Sequence, residues 1–334
     1  MNNMYKAADD RYQGEVRHAG DSGLMLPPIS LGLWRNFGSD APLKERKKVL
    51  LHAFDKGIFH FDVADHYGDG TKDGFGSSEK LIGEVLNSDL KPYRDELVIS
   101  TKVGYEIHDG PFGTGTSRKS VLQGIDGSLE RLNLDYVDVY YAHRYDYKTP
   151  VYETVRALDD VVKAGKALYV GVSNFEVPQM KEAVKLFKEL GTPFVLDQMS
   201  MNLLNNHVEK SGLDDVLRDG GVGAIAYGPL CEGLLSDRYL NGITDSFKIH
   251  PTNKQLLANG PDALVKKLND LNAIAKNRHQ TLSQMALVWL LRDPVVASVI
   301  IGTTNVDHLD QNLQALSNQT FSDDEVSAIE KLIK

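Results

Sequence analysis

The chain alternates between short apolar runs and longer segments in which apolar residues recur at helical spacing. The apolar runs predict eight strands, at 29–34, 58–63, 97–101, 137–142, 167–172, 194–198, 222–227 and 296–301. Runs such as Leu97-Val98-Ile99 and Val299-Ile300-Ile301 do not alternate with polar residues, as expected of strands buried on both faces. The segments between them predict amphipathic helices at 42–56, 77–87, 118–132, 151–164, 177–190, 207–218, 262–278 and 305–315.

A regular alternation of strand and helix predicts a parallel sheet, and eight such units predict an α/β fold of the (β/α)8 TIM barrel type. An open, doubly wound sheet is the alternative that this pattern leaves. The last unit carries a long insertion at 228–260. Segments 11–17 and 23–26 flank Gly20-Asp21-Ser22-Gly23, which predicts a short N-terminal β-hairpin. No low-complexity or linker-like segment divides the chain, so we expect a single domain over 1–334.

Composition and charge narrow the function classes. The 334 residues carry a formal net charge of -9, so we expect no nucleic-acid partner. The one cysteine, Cys231, allows no intrachain disulfide, which fits a reducing cytoplasm. The polar N-terminus does not resemble a secretory signal, and no apolar run reaches the ~18–20 residues of a membrane span. We therefore expect a cytoplasmic protein with no membrane partner.

Metal sites are not expected either. The sequence has no His-Glu-x-x-His motif and no cysteine cluster. Asp65, Asp69 and Asp73 lack the spacing of a calcium-binding EF-hand, so we interpret them as solvated loop carboxylates.

Asp62 lies within the apolar run 58–63, where a carboxylate is costly unless it is paired. Lys102, directly after 97–101, ends the next predicted strand and is its expected partner. Tyr67 follows in the loop after Asp62, and a neighbouring lysine would lower the tyrosine pKa. His143 follows the strand at 137–142 and could donate a hydrogen bond to a substrate oxygen. Together the four side chains could polarise a carbonyl and protonate it as a hydride reaches its carbon.

Polar residues also follow other predicted strands. They are Ser173 and Asn174, Gln198, Tyr227, and Gly302-Thr303-Thr304. Taken alone, Lys102 could be a surface lysine and His143 a structural histidine. Because strand ends of a (β/α)8 barrel converge on one face, their coincidence predicts an active site there.

The motifs that carry these residues resemble those of the aldo-keto reductase superfamily over about residues 14–330. They are Phe-Asp-Val-Ala-Asp-His-Tyr-Gly at 61–68, Ser-Thr-Lys-Val-Gly at 100–104 and Tyr-Ala-His-Arg at 141–144. Ser173-Asn174-Phe175 and Ile300-Ile301-Gly302-Thr303-Thr304 are similar to further motifs of the family. Leu31-Gly32-Leu33-Trp34 and Leu203-Leu204-Asn205 most resemble the branch of bacterial L-glyceraldehyde 3-phosphate reductases and, more distantly, potassium-channel β subunits.

The resemblance implies an NADPH-dependent carbonyl reductase without a Rossmann domain. Tyr67 would be the general acid, Lys102 its neighbour, Asp62 the carboxylate that holds Lys102, and His143 the residue that orients the carbonyl. Ser173, Asn174 and Gln198 would bind the nicotinamide amide, and Tyr227 would stack on its ring. The other residues implied in cofactor binding are Trp34, Asp62, Gly228, Pro229, Leu230, Gly233, Leu234, Arg238, Gly302, Thr304, His308, Gln311 and Asn312.

Two residues at the expected adenosine end bear on the choice between NADPH and NADH. Arg238 is at a position where the branch carries a cation near the adenosine phosphate. His308 departs from the glutamine or arginine expected of the family, and a 2′-phosphate usually needs a cation. NADH is therefore a possible cofactor.

The expected substrate is a small carbonyl compound, such as L-glyceraldehyde 3-phosphate or methylglyoxal. Trp34, Tyr67, His143 and Arg144 are the predicted substrate-binding residues, with Tyr105 and Tyr145 nearby. Arg144 could contact a substrate phosphate, or it could form an ion pair with Asp146 or another carboxylate.

Two other functions remain open. A regulatory protein of the channel β-subunit type would keep the fold and cofactor but turn over slowly. Such subunits commonly carry Asn where this chain has His143, which favours the enzyme. A non-redox barrel enzyme could use Lys102 as a Schiff-base lysine, but it would have no use for Tyr67 or Ser173-Asn174. Homo-oligomers are common in this branch, so one is possible here.

Overall fold

The computed structural model describes residues 5–205, 207–244, 247–249 and 251–333. Eight parallel strands close into a barrel in which each strand pairs with the next along the chain and the last pairs with the first. The strands are β3 (Ile29–Gly32), β4 (His60–Asp62), β5 (Val98–Val103), β6 (Val137–Ala142), β7 (Ala167–Ser173), β8 (Phe194–Ser200), β9 (Gly223–Tyr227) and β10 (Val296–Ile301). The predicted (β/α)8 barrel is confirmed, and the open sheet is excluded because Val299 of β10 pairs with Ile29 of β3.

Helices surround the barrel. They are α1 (Leu43–Asp55), α2 (Ser77–Leu86), α3 (Arg118–Leu132), α4 (Val151–Lys163), α5 (Val177–Leu190), α6 (His207–Ser211), α7 (Leu213–Gly220), α8 (Pro261–Asn277), α9 (Leu282–Leu291), α10 (Val306–Leu313) and α11 (Asp323–Ile333). The single helix predicted at 207–218 was wrong, because Gly212, with φ 73°, separates α6 from α7.

The sequence pattern also missed α9 and α11. Leu282–Leu291 is buried almost throughout, so α9 has no polar face and no amphipathic period. The insertion at 228–260 belongs to the seventh unit rather than the last, because it follows β9 and precedes α8. It contains short 3-10 helices at Cys231–Gly233, Asp237–Tyr239 and Pro251–Leu257.

The predicted N-terminal hairpin is present, with shorter strands than expected. It consists of β1 (Arg17–His18) and β2 (Met25–Leu26), which pair antiparallel. The backbone N–H of Asp21 donates to the carbonyl of Gly221 at 2.9 Å. Gly20 has φ +59° at this contact, and a Cβ there would lie 2.1 Å from the same carbonyl oxygen. Only glycine therefore allows the hairpin to dock beside the start of β9.

Strand β5 separates two buried polar regions. Successive side chains of a strand point to opposite faces. Ser100 and Lys102 contact Asp62 of β4 inside the barrel. Thr101 donates instead to Glu79 of α2, in the layer between the barrel and the helices. This strand therefore positions both of the ion pairs described below.

Candidate active site

The carboxyl ends of β4 and β5 bring Asp62 and Lys102 together, as the sequence predicted. Lys102 Nζ donates to Asp62 Oδ2 at 2.5 Å, and the two side chains are 0% and 2% exposed. Lys102 also donates to the Val63 carbonyl at 2.8 Å and lies 3.2 Å from the Tyr67 hydroxyl. The buried ammonium thus has three oxygen partners, which matches its three donors.

Two further donors fix the Asp62 carboxylate. Ser100 Oγ donates to Oδ1 at 2.6 Å, and Gln198 Nε2 donates to the same atom at 3.0 Å. Gln198, predicted to contact the cofactor, thus also holds Asp62 in place. Both carboxylate oxygens therefore accept hydrogen bonds, which offsets part of the cost of burying this group.

The expectation of a lowered Tyr67 pKa was wrong for this chain. Burial raises the pKa of the Tyr67 hydroxyl well above its usual value, and the Asp62 carboxylate raises it further. Lys102 cannot reverse this shift, because Asp62 largely balances its charge at 2.5 Å. The phenol therefore keeps its proton at neutral pH and can act as a donor.

His143 lies beside Tyr67, with ring centroids 5.8 Å apart. Burial lowers its pKa well below the usual value, and the charge of Lys102 lowers it further, so the ring is neutral. Its Nδ1 is buried, and no hydrogen bond from the described residues reaches it. A neutral imidazole can donate a hydrogen bond from one nitrogen without bringing a charge.

The rings of His66 and Tyr105 lie beside His143. The sequence suggested no role for His66 and only a nearby position for Tyr105. His66 lies 4.8 Å from His143 and 5.0 Å from Tyr67, measured between ring centroids. Tyr105 lies 4.7 Å from both His66 and His143. Burial lowers the pKa of His66 to about 4, so this ring is neutral as well. The sequence could have indicated His66 only through its position directly before Tyr67.

Ser173, Asn174 and Tyr227 form a connected group at the ends of β7 and β9. Asn174 has φ 57°, a left-handed conformation that asparagine tolerates better than most residues. Its side chain donates to Ser173 Oγ at 2.9 Å and to the His143 carbonyl at 3.1 Å. The Tyr227 hydroxyl donates to Asn174 Oδ1 at 2.8 Å. The structure therefore brings these three predicted residues together beside His143.

The loop after β9 offers open backbone next to this group. Gly228 has φ +64°, and a Cβ there would meet no atom within 4 Å. The backbone turns tightly here, because positive φ angles also occur at Cys231, Glu232 and Gly233. Pro229, Leu230, Gly233 and Leu234 belong to this turn, and Ser236 closes it by donating to the Gly233 carbonyl at 2.6 Å. Arg238 is exposed just beyond.

The end of β10 supplies the other predicted cofactor residues. Gly302 and Thr304 follow β10, and Asn305 caps α10 by accepting from the N–H of Asp307 at 2.7 Å. His308 and Gln311 are exposed on α10, and Asn312 is half-buried. Strands β9 and β10 are paired neighbours, so both loops lie at the same end of the barrel. Open glycine backbone, a helix N-terminus and the exposed Arg238 together fit the phosphates of a dinucleotide.

Trp34 and Arg144 flank the Tyr67 end of the site. Trp34 is 40% exposed, and its ring lies 6.3 Å from that of Tyr67. Arg144 donates to the Gly104 carbonyl at 3.1 Å and to Thr114 Oγ1 at 2.8 Å, and it lies over the Tyr105 ring.

The predicted alternative for Arg144, an ion pair with Asp146, does not form. Asp146 instead accepts from the Thr116 and Lys148 N–H groups and from the Thr149 hydroxyl.

Of the three loop aspartates interpreted as solvated, Asp69 and Asp73 are exposed, but Asp65 is not. It is 1% exposed, and no side chain of the described residues donates a hydrogen bond to its carboxyl oxygens. Burial and the neighbouring Glu79 raise its pKa well above the usual value. Glu79 itself accepts from Thr101 at 2.5 Å and from Arg131 of α3 at 2.6 Å.

The described residues also bear on metal binding and on membrane insertion. Within the described ranges, no group of three or more His, Cys, Asp or Glu side chains is placed to hold a metal ion. Among those same residues, no helix is long and apolar enough to cross a membrane.

Known proteins resemble this chain along almost its whole length. The Aldo/keto reductase family model matches residues 28–334. The chain is 45% identical over 335 residues to an L-glyceraldehyde 3-phosphate reductase of Escherichia coli (strain K12), covering 99% of this chain and 96% of that one. It is 35% identical over 306 residues to a probable voltage-gated potassium channel subunit beta of Oryza sativa subsp. japonica, covering 90% of this chain and 91% of that one.

Proposed function

Since this chain belongs to the Aldo/keto reductase family, we propose that it reduces small aldehydes and ketones to alcohols with NADPH. Members of the family are NAD(P)H-dependent oxidoreductases. For this chain we propose NADPH, rather than NADH, as the cofactor. The observation that carries it is the contact between Tyr67 and the buried Lys102–Asp62 pair. A protonated phenol held at one point by a buried ammonium is suited to donating a proton to a substrate oxygen.

The bound cofactor would supply the hydride, and the residues of the chain would orient the carbonyl and deliver the proton. Tyr67 would donate its proton to the carbonyl oxygen as negative charge develops there. Lys102, 3.2 Å from the Tyr67 hydroxyl, would then stabilise the resulting phenolate. Neutral His143 would donate a second hydrogen bond to the same oxygen. Because these groups are already fixed by neighbours, little reorganisation is needed during the reaction.

The cofactor would lie across the ends of β7 to β10. Ser173, Asn174 and Gln198 would bind the nicotinamide amide, and Tyr227 would face its ring. The turn at 228–234 and the start of α10 would bind the phosphates, with Arg238 beside the adenosine end. The exposed position of Arg238 and the open backbone at Gly228 support this arrangement.

We propose L-glyceraldehyde 3-phosphate, the substrate named for the E. coli relatives, as the first compound to test. Arg144 supports a phosphorylated substrate. Two of its donors are fixed by Gly104 and Thr114, and a guanidinium has five in all. The unused donors could bind a phosphate next to Tyr105.

A regulatory role with weak turnover is the second candidate, supported by the channel-subunit relative at 35% identity. The presence of His143 favours the enzyme, because this ring supplies a hydrogen bond to a reacting oxygen.

The test is a fluorescence titration of the purified protein with NADPH and NADH, followed by an absorbance assay with L-glyceraldehyde 3-phosphate and methylglyoxal. We expect quenching of protein emission at micromolar NADPH and turnover of at least one aldehyde. Tyr67→Phe should bind NADPH equally well but lose most of its turnover. Binding without turnover of any aldehyde would favour the regulatory role, and no binding of either cofactor would exclude both.

A further inference from the structure

Arg35 follows strand β3 and stacks on the side chain of the residue before it. Its guanidinium carbon lies 4.3 Å from the centroid of the Trp34 ring. Trp34 is 40% exposed, and the centroid of its ring lies 6.3 Å from that of the Tyr67 ring. A guanidinium is therefore held one ring away from the proposed proton donor.

Stacking holds this guanidinium without using its hydrogen-bond donors. A guanidinium contacts an aromatic ring through its flat face, whereas its five N–H groups point outward in its own plane. In the described part of the chain, Arg35 has no hydrogen-bond acceptor and no carboxylate partner. The residue is exposed, so its donors are open to solvent. A cation that is positioned by its face and free at its edge is suited to bind an anion.

The other stacked arginines of the described residues differ from Arg35 in their partners or their place. Several are also held by an oxygen: Arg11 by Glu96, Arg94 by Asp138, Arg278 by Glu325 and Arg46 by the Asn36 carbonyl. Arg156 stacks on Tyr152 of α4, outside the barrel. Arg292 stacks on Trp289 before the start of β10, at the opposite end of the barrel. Arg35 thus combines free donors with a position at the candidate active site.

A phosphate is the anion that suits this arrangement. The planar fork of a guanidinium donates two parallel hydrogen bonds to phosphate oxygens. In L-glyceraldehyde 3-phosphate the phosphate is attached to the carbon at the far end from the aldehyde. When the carbonyl oxygen meets Tyr67, the phosphate should therefore lie at the rim of the site, where Arg35 is.

Arg144, the phosphate ligand suggested above, is a second cation at this rim. Its guanidinium lies over the Tyr105 ring, and that ring lies 4.7 Å from the His143 ring. Two of its donors are already used by Gly104 and Thr114. A phosphate monoester carries up to about two negative charges at neutral pH, so one guanidinium does not satisfy it. Arg35 can supply the donors that Arg144 lacks.

The cofactor is the other possible source of a phosphate at Arg35. Strand β10 pairs with β3, so the loop proposed to bind the cofactor phosphates begins beside the loop that carries Arg35. The contact of the Trp34 ring with Tyr67 favours the substrate, because Tyr67 is the group that would meet the carbonyl.

We propose that Arg35 is a specificity-determining residue whose guanidinium, held on Trp34, binds the phosphate of a phosphorylated aldehyde together with Arg144. The proposal rests on the proposed reductase function and narrows its substrate class. Short aldehydes that carry a terminal phosphate would be preferred over uncharged aldehydes of the same length, because only the former gain a contact with Arg35.

Kinetics with a matched pair of substrates test this preference. The ratio of kcat/KM for L-glyceraldehyde 3-phosphate to kcat/KM for L-glyceraldehyde removes any general damage to the site. Arg35→Gln should lower this ratio about tenfold, the effect of losing hydrogen bonds to a charged group. Arg292→Gln removes an arginine stacked on the other tryptophan and is the control, so its ratio should stay within about twofold of wild type.

The chemistry of the contact can be tested in the same assay. Arg35→Lys keeps the charge but loses the planar fork, so it should retain only part of the wild-type ratio. Because the contact is exposed, added salt should lower the wild-type ratio more steeply than that of Arg35→Gln.

A binding measurement gives a readout that does not need reductase activity. The chain has two tryptophans, so Trp289→Phe leaves Trp34, on which Arg35 stacks, as the only one. This protein is titrated with glycerol 3-phosphate and with glycerol, in the presence and absence of NADP+. We expect a saturable change in Trp34 emission with glycerol 3-phosphate alone, and about tenfold weaker binding when Arg35→Gln is added.

Three outcomes would overturn the phosphate site. They are a substrate ratio that Arg35→Gln leaves unchanged, a titration midpoint that it leaves unchanged, and no response of Trp34 to glycerol 3-phosphate. An unchanged ratio with weaker NADPH binding in Arg35→Gln would assign the residue to a cofactor phosphate instead. A protein that binds glycerol 3-phosphate through Arg35 but reduces no aldehyde would refute the reductase proposal and leave the phosphate site standing.

Discussion

Two buried ion pairs lie on opposite faces of β5 and are used differently. The inner pair, Asp62–Lys102, lies inside the barrel and is almost fully removed from solvent. The outer pair, Glu79–Arg131, lies between the barrel and the helices, where the Arg131 side chain is 23% exposed. The inner pair contacts the Tyr67 hydroxyl, whereas the outer pair connects α2 with α3.

The contacts of each pair, rather than its burial, indicate what the pair does. Removing two charges from water can cost as much as their attraction returns, so burial alone is weak evidence for a stabilising role. Glu79–Arg131 joins two helices and contacts no candidate site residue, so we expect it to serve the fold. Asp62–Lys102 joins neighbouring strands that already share a ladder, so we expect it to serve the chemistry.

The largest expected effect comes from breaking the inner pair. Lys102→Met should lower kcat about 10²–10⁴-fold, because Tyr67 would lose the charge that stabilises its phenolate. Initial rates of NADPH oxidation measure the effect, and circular dichroism verifies the fold. Lys163→Met, at a surface lysine paired with Asp159, is the control and should retain wild-type activity. A Lys102→Met protein within tenfold of wild type would refute the role of this pair.

Breaking the outer pair should affect stability instead. Arg131→Met leaves Glu79 buried without its cation and should lower the free energy of unfolding by about 3–5 kcal/mol. Urea unfolding measures this, while kcat per folded molecule should remain unchanged. Arg118→Met on the same helix removes an exposed pair with Asp160 and should cost at most about 1 kcal/mol. Similar losses for both variants would mean that burial of Glu79 is unimportant.

The buried histidines around the inner pair should make the protein less stable in acid. Burial inside the barrel lowers the pKa of His60 from 6.5 to about 4, so the unfolded chain takes up a proton first as pH falls. Its contribution is complete above pH 6.5 and is lost toward pH 4, at about 1.4 kcal/mol per pH unit. His66 and His143 act in the same direction. The pH slope of the unfolding free energy should therefore be shallower in His60→Gln, and an unchanged slope would show that folding does not lower the pKa of His60.

Asp65, which is buried near Glu79 of the outer pair, should give the opposite pH dependence of stability. This is the smallest of the expected effects. The folded-state pKa of Asp65 is raised, so this group stabilises the fold only where the unfolded chain is also protonated. Its contribution falls as pH rises from the ordinary aspartate range toward the raised folded pKa. Asp65→Asn, which is neutral at every pH, should be about 1–3 kcal/mol more stable than wild type at pH 7. Urea unfolding at pH 7 and at pH 4 measures the gain, which should disappear at the lower pH.

The sequence predicted the inner region well because strand periodicity and a misplaced carboxylate are both local signals. Asp62 stood out within an apolar run, and Lys102 was found at the equivalent point of the next strand. The outer region gave no such signal. Glu79 lies on a helix whose charged positions look solvated, and its partner Arg131 is far along the chain.

Other misses have equally physical causes. Asp65 looked like a solvated loop residue because sequence cannot show that the fold buries it near Glu79. The Tyr67 pKa was predicted in the wrong direction because desolvation depends on all surrounding atoms, whereas the sequence named only the nearest cation. Tertiary burial, rather than local pattern, decided both.

The closure of the barrel also constrains how the protein is made on the ribosome. Ile29 of the first barrel strand pairs with Val299, so its partner is synthesised 270 residues later. Because the ribosome adds about 5–20 residues per second, this edge of β3 stays unpaired for roughly 15–55 seconds after its synthesis. The N-terminal hairpin also cannot dock early, because the carbonyl that accepts its hydrogen bond belongs to Gly221. The nascent chain therefore exposes an apolar strand edge throughout most of its own translation, when chaperone capture or aggregation competes with folding.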